Sequence, residues 1–261
     1  AEGFEAKQSA SQIMESALNV LKYEIRDVQG KTIYVDIDPN YTGLIFKEDS
    51  PIRSSIGDLE AKQTVLKPNF AAVVIDHIIQ AGISSGDTVA VGMTGSMPGA
   101  NIAVLSACKA MDVHTVVITS VGSSTWGATD PDFTWLDMES VLLDSGIFNQ
   151  KSIAASMGGK GDCLRRSGKR GGKAGRTIVK RAANRNGIPL IEYVLPIEEQ
   201  NVSKSISKRI ELYSHVQGGL ENYDAFINVG GGVTNVGVGG KKKFPQPGFL
   251  SPESILEMNP R

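Results

Sequence analysis

The apolar and polar positions of this chain fall into two rhythms, and the change from one to the other divides it. Over about Phe4 to Val28, Ile13, Ala17, Leu18, Leu21 and Ile25 recur at three- and four-residue steps among Lys, Glu and Gln. This spacing predicts an amphipathic helix, able to pack on a domain or to stand as a stalk. Residues 31–66 lose that rhythm. Ile33-Tyr34-Val35 and Leu44-Ile45-Phe46 read as short strands around the turn Asp38-Pro39-Asn40, in an extended arm that feeds the main domain.

From Pro68 onward short apolar runs alternate with helical patterns. The predicted strands are Thr88–Val91, Thr115–Ile118, Ser152–Ala155, Leu190–Val194 and Ala225–Val229. Between them lie helices starting near Pro68, Asn101, Thr134, Arg176 and Glu198. Strands buried on both faces read as continuous apolar runs, and helices between them imply parallel crossovers. The expected class is therefore α/β, a doubly wound and mostly parallel sheet with helices on both faces, preceded by the N-terminal helix and the arm. The expected organisation is an N-terminal helix at 1–30, an arm at 31–66, a ligand-binding α/β domain at 67–240 and a surface tail at 241–261.

Composition narrows the picture a little. With 41% hydrophobic and 21% charged residues in 261, the chain can form an ordinary core. No run approaches the roughly 18 apolar residues of a membrane span. The chain opens Ala1-Glu2-Gly3 without an initiator methionine, so a preceding anchor is compatible with it. Cys108 and Cys163 stand far apart, and His77, His114 and His215 are scattered, so no metal site and no cofactor are expected. Cys108 reads as a buried helix thiol.

Charge is unevenly spread. Between Lys160 and Arg185 ten basic residues face Asp162 alone, which leaves 17 basic and 27 acidic residues elsewhere. Such a belt is either a solvated helix face or a surface for an anionic partner, with Arg165, Arg166, Lys169 and Arg170 at its centre. No nucleic-acid partner is expected.

In open α/β sheets ligands bind beyond the carboxyl ends of the strands, and here the loops at those ends are rich in small polar residues. The first, Met93 to Asn101, runs from strand into helix and offers Thr94, Gly95, Ser96, Gly99 and Asn101. Glycine lets backbone approach a ligand and a helix N-terminus attracts an anion. The alternative is a tight turn capped by Ser96 or Asn101. The loop has neither a Walker lysine nor a GxGxxG pattern. The second loop, from Ser120, supplies Ser123, Ser124 and Asp130 as polar contacts and Trp126 as an apolar wall. Asp132 or Thr134 would cap the following helix, and Asp137 and Glu139 fit its dipole. The third holds Gly158, Gly159 and Asp162; the last holds Gly230, Gly231, Gly232 and Asn235, glycines that face either a ligand or a neighbouring loop.

Ser96 is the candidate nucleophile. Thr94 and Pro98 stand where a Gly-x-Ser-x-Gly elbow needs glycine, and no histidine lies in these loops, which argues against a Ser-His-Asp triad. Lys62 would serve as base in a Ser–Lys arrangement if the arm folds over the sheet; otherwise it is a surface lysine.

Several strings occur together: Pro68-Asn69-Phe70-Ala71-Ala72, Gly95-Ser96-Met97-Pro98-Gly99-Ala100-Asn101, Trp126-Gly127-Ala128-Thr129-Asp130-Pro131, Thr134-Trp135-Leu136-Asp137-Met138-Glu139 and Asn228-Val229-Gly230-Gly231-Gly232. From about residue 38 onward the chain resembles the poly-γ-glutamate system protein family, the W component of that synthesis and export system. The resemblance implies an accessory protein of poly-γ-glutamate synthesis or export at the cell envelope. It also implies the extracytoplasmic face, an anchor before Ala1, and membrane components of the synthase as partners. It carries no catalytic residues. Around Cys163-Leu164-Arg165-Arg166 the chain has less glycine and more charge than the family pattern leads one to expect.

Three functions therefore stand at this stage. The first is binding of poly-γ-glutamate, or of a carboxylate- or phosphate-bearing small ligand, in the strand-end loops. The second is a cleft enzyme: a hydrolase or transferase acting on a γ-glutamyl amide through Ser96, or a sugar-phosphate isomerase-like protein. The third is a non-catalytic scaffold for the synthase.

Overall fold

The computed structural model describes residues 3–46, 48–164, 172–192, 200–236 and 248–251. Helix α1 (Phe4–Tyr23) forms where the three-four spacing predicts it and buries Ala10, Met14, Ala17, Leu18 and Leu21. It packs against helices α3 (Phe70–Gln80), α4 (Pro98–Ala110) and α5 (Trp135–Asp144), so it belongs to the domain's helical layer and is not a free stalk. Burying Met14, Leu18 and Leu21 contributes on the order of 2 kcal/mol apiece. The helix ends in a wider turn, Glu24–Val28, closed by Gln29 N donating to Glu24 O at 2.9 Å.

The arm departs from expectation. Neither 33–35 nor 44–46 forms a strand. Tyr34 and Val35 lie exposed with no ladder partner, whereas Leu44, Ile45 and Phe46 are buried by packing alone. The turn between them is organised by Asp38, whose carboxylate accepts Thr42 N at 3.0 Å and Gly43 N at 2.6 Å. The arm's strand is instead β1 (Arg53–Ser55), parallel to β4 (Ser123–Ser124), and it is followed by helix α2 (Leu59–Thr64). Asp58 caps α2 by accepting Ala61 N at 2.8 Å.

The main sheet has four parallel strands in the order β5 (Ala154–Ser156), β3 (His114–Ser120), β2 (Thr88–Thr94), β6 (Ala225–Asn228). Val89, Val91, Met93 and Val117 face the layer of α1, α3 and α4. Ala90, Val116, Ile118 and Ala154 face the other way, toward Tyr213 of helix α7 (Gln200–Gln217). Both faces are covered, which is why the strands read as uninterrupted apolar runs. A third cluster joins Ile52 of the arm to Val179 and Ala183 of helix α6 (Gly172–Arg185). The segment expected as a strand at 190–194 appears as a single parallel bridge, Ala155 to Leu190; residues 193–199 lie outside the described part.

The chain steps from β2 to β3 to β5 in one direction and returns to place β6 on the far side of β2. The reversal lies between β2 and β6, so the crevice beyond their carboxyl ends is where an open sheet of this kind binds ligands.

Candidate functional site at the strand ends

The last residues of β2, β3, β5 and β6 are Thr94, Ser120, Ser156 and Asn228, all polar. Arg209 of α7 reaches into this rim. Its Nη2 donates to Ser120 Oγ at 2.9 Å and to Ser156 Oγ at 2.7 Å, and its Nη1 to Asn235 Oδ1 at 3.2 Å. Only 3% of Arg209 is exposed, and burial pulls its guanidinium below the usual arginine range although Asp162 acts in the opposite sense. No carboxylate among the described residues lies within ion-pair distance of it. Asp162, also buried, accepts Ser156 Oγ and Gly158 N, each at 2.8 Å, and Ser205 Oγ as well.

Four buried polar atoms at this place have no partner among the described residues: Arg209 Nε, Asn235 Nδ2, Thr94 Oγ1 and, behind Thr94, Asn101 Oδ1. Native proteins rarely leave such groups unmet. A cavity of about 440 Å³ opens beside Arg209 and Asn235, which line it, between α7 and β6, its walls including Ile206, Ile210, Tyr223 and Phe226. The glycine triplet bounds the crevice on the Thr94 side. A Cβ on Gly230 would meet Thr94 Oγ1 at 2.6 Å and one on Gly232 would meet Thr94 Cγ2 at 3.1 Å, so these two glycines face a neighbouring loop. Gly231 between them is exposed.

On the opposite side of the 94–101 loop a second cluster forms, because the arm does fold over the sheet end. Lys62 of α2 is 3% exposed. Its Nζ donates to Ser124 Oγ at 2.7 Å and to the backbone oxygen of Ser96. Ser96 Oγ accepts Ser124 N at 2.9 Å. Burial lowers the Lys62 pKa to about 8, with Asp58 acting weakly in the other direction.

The remaining sequence candidates are built into the frame. A Cβ on Gly99 would lie 2.6 Å from Val65 O, so the N-terminus of α4 is covered by the arm. Asn101 is buried and its Nδ2 latches onto Thr94 O at 2.9 Å. Gly95 packs against Val121 O, and Ser123 Oγ donates to Gly95 O at 2.9 Å. Trp126 adopts φ 66° and packs on the main core. Asp130 pairs with Lys31 at 2.6 Å and caps Asp132 N at 2.9 Å. Gly158 and Gly159 turn with positive φ between Ser156 and Asp162.

Thr134, not Asp132, caps α5, in a reciprocal arrangement with Asp137. Glu139 is no solvated dipole partner: it is buried, accepts Trp135 Nε1 at 3.0 Å and Ser152 Oγ at 2.8 Å, and burial raises its pKa to about 7. Cys108 is buried in α4, and burial pushes its thiol up to about 12.

Of the basic belt, Arg165, Arg166, Lys169 and Arg170 lie outside the described residues. On α6, Arg176 donates to Cys163 O, Arg181 pairs with Asp132 and Arg185 with Asp137, so these cations hold the domain's own loops. Among the described residues no three His, Cys, Asp or Glu side chains converge on a common point, and no helix is long and apolar enough to cross a membrane.

Of the residues singled out in the sequence, Thr94, Asp162 and Asn235 fall in the first cluster and Ser96, Ser124 and Lys62 in the second; Arg209, Ser120, Ser156 and Ser205 were not among them. A signal existed. Val202, Ser205, Arg209 and Tyr213 form the buried stripe of α7, and an arginine on such a stripe calls for a partner. Comparison with protein-family models, with curated proteins and with solved structures returned no match to this chain.

Proposed function

We propose that this protein is an envelope-associated accessory component of poly-γ-glutamate synthesis or export that binds a carboxylate-bearing glutamyl chain, or its precursor, in the crevice between β2 and β6. The observation that carries the reading is Arg209, a buried guanidinium with an unpartnered Nε and no directly paired carboxylate among the described residues, beside the unpartnered Asn235 Nδ2 and Thr94 Oγ1. A ligand carboxylate accepts from donors of this kind, and a charge-assisted bond to arginine contributes about 1.5–3 kcal/mol. The cavity beside Arg209 mixes aliphatic and aromatic walls with that polar end. A γ-glutamyl chain has the matching pattern, with two methylenes between each carboxylate and the next amide. The resemblance of the strings from Pro68 to Gly232 to the poly-γ-glutamate system family supports the same ligand class. It also supports placement on the extracytoplasmic face and association with the membrane components of the synthase. The basic residues Arg165, Arg166, Lys169 and Arg170 would steer the polymer by long-range attraction.

The test is calorimetric titration of the full chain with γ-linked glutamate oligomers and with the polymer. Arg209→Lys, which keeps the charge and loses the fork, is expected to weaken oligomer binding at least tenfold, and Thr94→Val to weaken it less. Charge reversal at the four belt residues should weaken the polymer at low salt and leave short oligomers unchanged. Oligomer binding that Arg209→Lys leaves intact, or no binding at all, overturns the reading.

A further inference from the structure

Among the described residues Lys62 is the one buried lysine, and no carboxylate forms an ion pair with it. Its ammonium is held by two neutral oxygens, Ser124 Oγ and Ser96 O. Neutral acceptors compensate a buried charge poorly, and a simple clamp between arm and sheet could be made by an uncharged side chain. The position does suit a base. The amine nitrogen lies 2.7 Å from a serine hydroxyl, within the reach that proton abstraction needs.

We propose that Ser124 and Lys62 form a serine–lysine catalytic pair that cleaves an amide or ester bond, with Ser96 as a positioning residue. Neutral Lys62 takes the Ser124 proton as Oγ attacks the acyl carbonyl carbon. The carbon–nitrogen or carbon–oxygen bond then breaks and the leaving group departs with the proton that Lys62 returns. Water attacks the resulting serine ester, giving its proton to Lys62, and the released Ser124 Oγ recovers it, so the pair ends as it began. The Lys62 pKa of about 8 supports the role, since roughly a quarter of the amine is neutral at pH 7.5. Ser96 Oγ, by accepting Ser124 N, fixes the backbone that carries the nucleophile.

The arm shields the pair, and access to it requires the arm to open. Gly57 roofs the hydroxyl, for a Cβ there would lie 2.8 Å from Ser124 Oγ and 3.2 Å from Lys62 Cε. That roof is held by hydrogen bonds to Thr125 and by little packing: Gly57 N donates to Thr125 Oγ1 at 2.6 Å and Thr125 N to Ser55 O at 3.0 Å, whereas Ile56 is 87% exposed, Ser55 is exposed, and β1 pairs with β4 over a short and irregular ladder. Segments with so little packing open locally at small cost. The acyl-cleaving step stands apart from the anionic reading above; naming a γ-glutamyl amide as its substrate rests on that reading, through Thr94 two residues from Ser96 on one loop.

The experiment is labelling of the full chain with a fluorophosphonate, which reacts with activated serines whatever their substrate, followed by peptide mass mapping across pH 6–9.5. The expected result is a single adduct on Ser124, formed at a rate that rises with pH around a midpoint near 8. Ser124→Ala should abolish it, Lys62→Met should slow it by about a hundredfold or more, and Ser96→Ala should slow it while leaving the adduct on Ser124. Thermal melts establish that each variant is folded. Should Lys62→Met unfold, the wild-type pH profile decides, because a flat profile removes Lys62 as the base. No adduct, an adduct elsewhere, or one that persists in Ser124→Ala overturns the proposal. Failure of glutamyl binding in the calorimetric titration leaves this outcome untouched, so the two readings fail separately.

Discussion

Asp162 and Arg209 are joined through one hydroxyl: Ser156 Oγ donates to Asp162 Oδ1 at 2.8 Å and accepts Arg209 Nη2 at 2.7 Å. A buried anion and a buried cation thus share an intermediary, which spreads their charge compensation over β5, the following loop and α7.

Removing that intermediary should be costly. Ser156→Ala deprives both charged groups of a partner at once, and hydrogen bonds to charged groups contribute about 1.5–3 kcal/mol each. Ser120→Ala deprives Arg209 of one acceptor at 2.9 Å and leaves Asp162 untouched. Urea denaturation should therefore give a larger drop in midpoint for Ser156→Ala than for Ser120→Ala. Equal midpoints would show that the shared hydroxyl does not couple the two charges.

Glu139 makes stability fall as pH rises. Its pKa is about 7 in the fold against 4.5 for the free side chain, so between those values the folded chain holds a proton that the unfolded chain has released. The penalty begins above pH 4.5, grows to about pH 7 and is constant beyond, reaching on the order of 3 kcal/mol. Glu139→Gln should flatten that slope and raise the melting temperature at pH 8 relative to pH 5. A wild-type melting temperature that does not decline over this interval would refute the assignment.

Asp137 acts with the opposite sign. Burial alone would raise its pKa, but hydrogen bonds from Arg185, Asn186 and Thr134 outweigh it and hold the carboxyl below 3.8. Its contribution is present above the ordinary aspartate pKa and is lost as pH falls through the lower folded value. Asp137→Asn should cost about 2 kcal/mol at pH 7 and should reduce the loss of stability on acidification below pH 4. Acid titration followed by circular dichroism reads both effects.

The elements that were legible in the sequence are those whose burial follows chain periodicity. Helices α1, α3, α4 and α7 and the strands β2, β3 and β6 fall close to where apolar spacing puts them, because each buries one stripe or both faces in a single dominant layer. The arm was misread for an equally physical reason. Ile33-Tyr34-Val35 has strand composition but no edge to pair with, and Leu44-Ile45-Phe46 is buried by side-chain packing, which leaves no ladder for its backbone. Strand propensity describes a fit to a pleated neighbour, and neither segment has one.

The candidate site divides along the same line. Thr94, Ser96, Ser124, Asp162 and Asn235 were legible because they follow strands, and strand ends in such sheets converge. Lys62 was legible as a conditional, and the condition is met by α2 seating on the 94–101 loop. Gly99 and Asn101 have the residue types of an anion site, yet Val65 O stands over Gly99 and Asn101 turns its donor, Nδ2, to Thr94 O. Arg209 comes from mid-helix, next to the solvent-facing Lys208 of the same segment, and only the buried stripe it shares with Ser205 and Tyr213 sets it apart.

The docking of α1 onto α3, α4 and α5 has a consequence for synthesis. Its apolar stripe, Met14, Ala17, Leu18 and Leu21, meets surfaces that begin at Phe70 and continue to Asp144. During translation, at about 5–20 residues per second, the helix emerges ahead of those surfaces and waits several seconds for them to follow. Until then the stripe is open to chaperones and to other nascent chains. An element made well before its partners is thus among the last to be secured, and mutations in the stripe should both lower the yield of soluble protein and speed the unfolding of what has already folded.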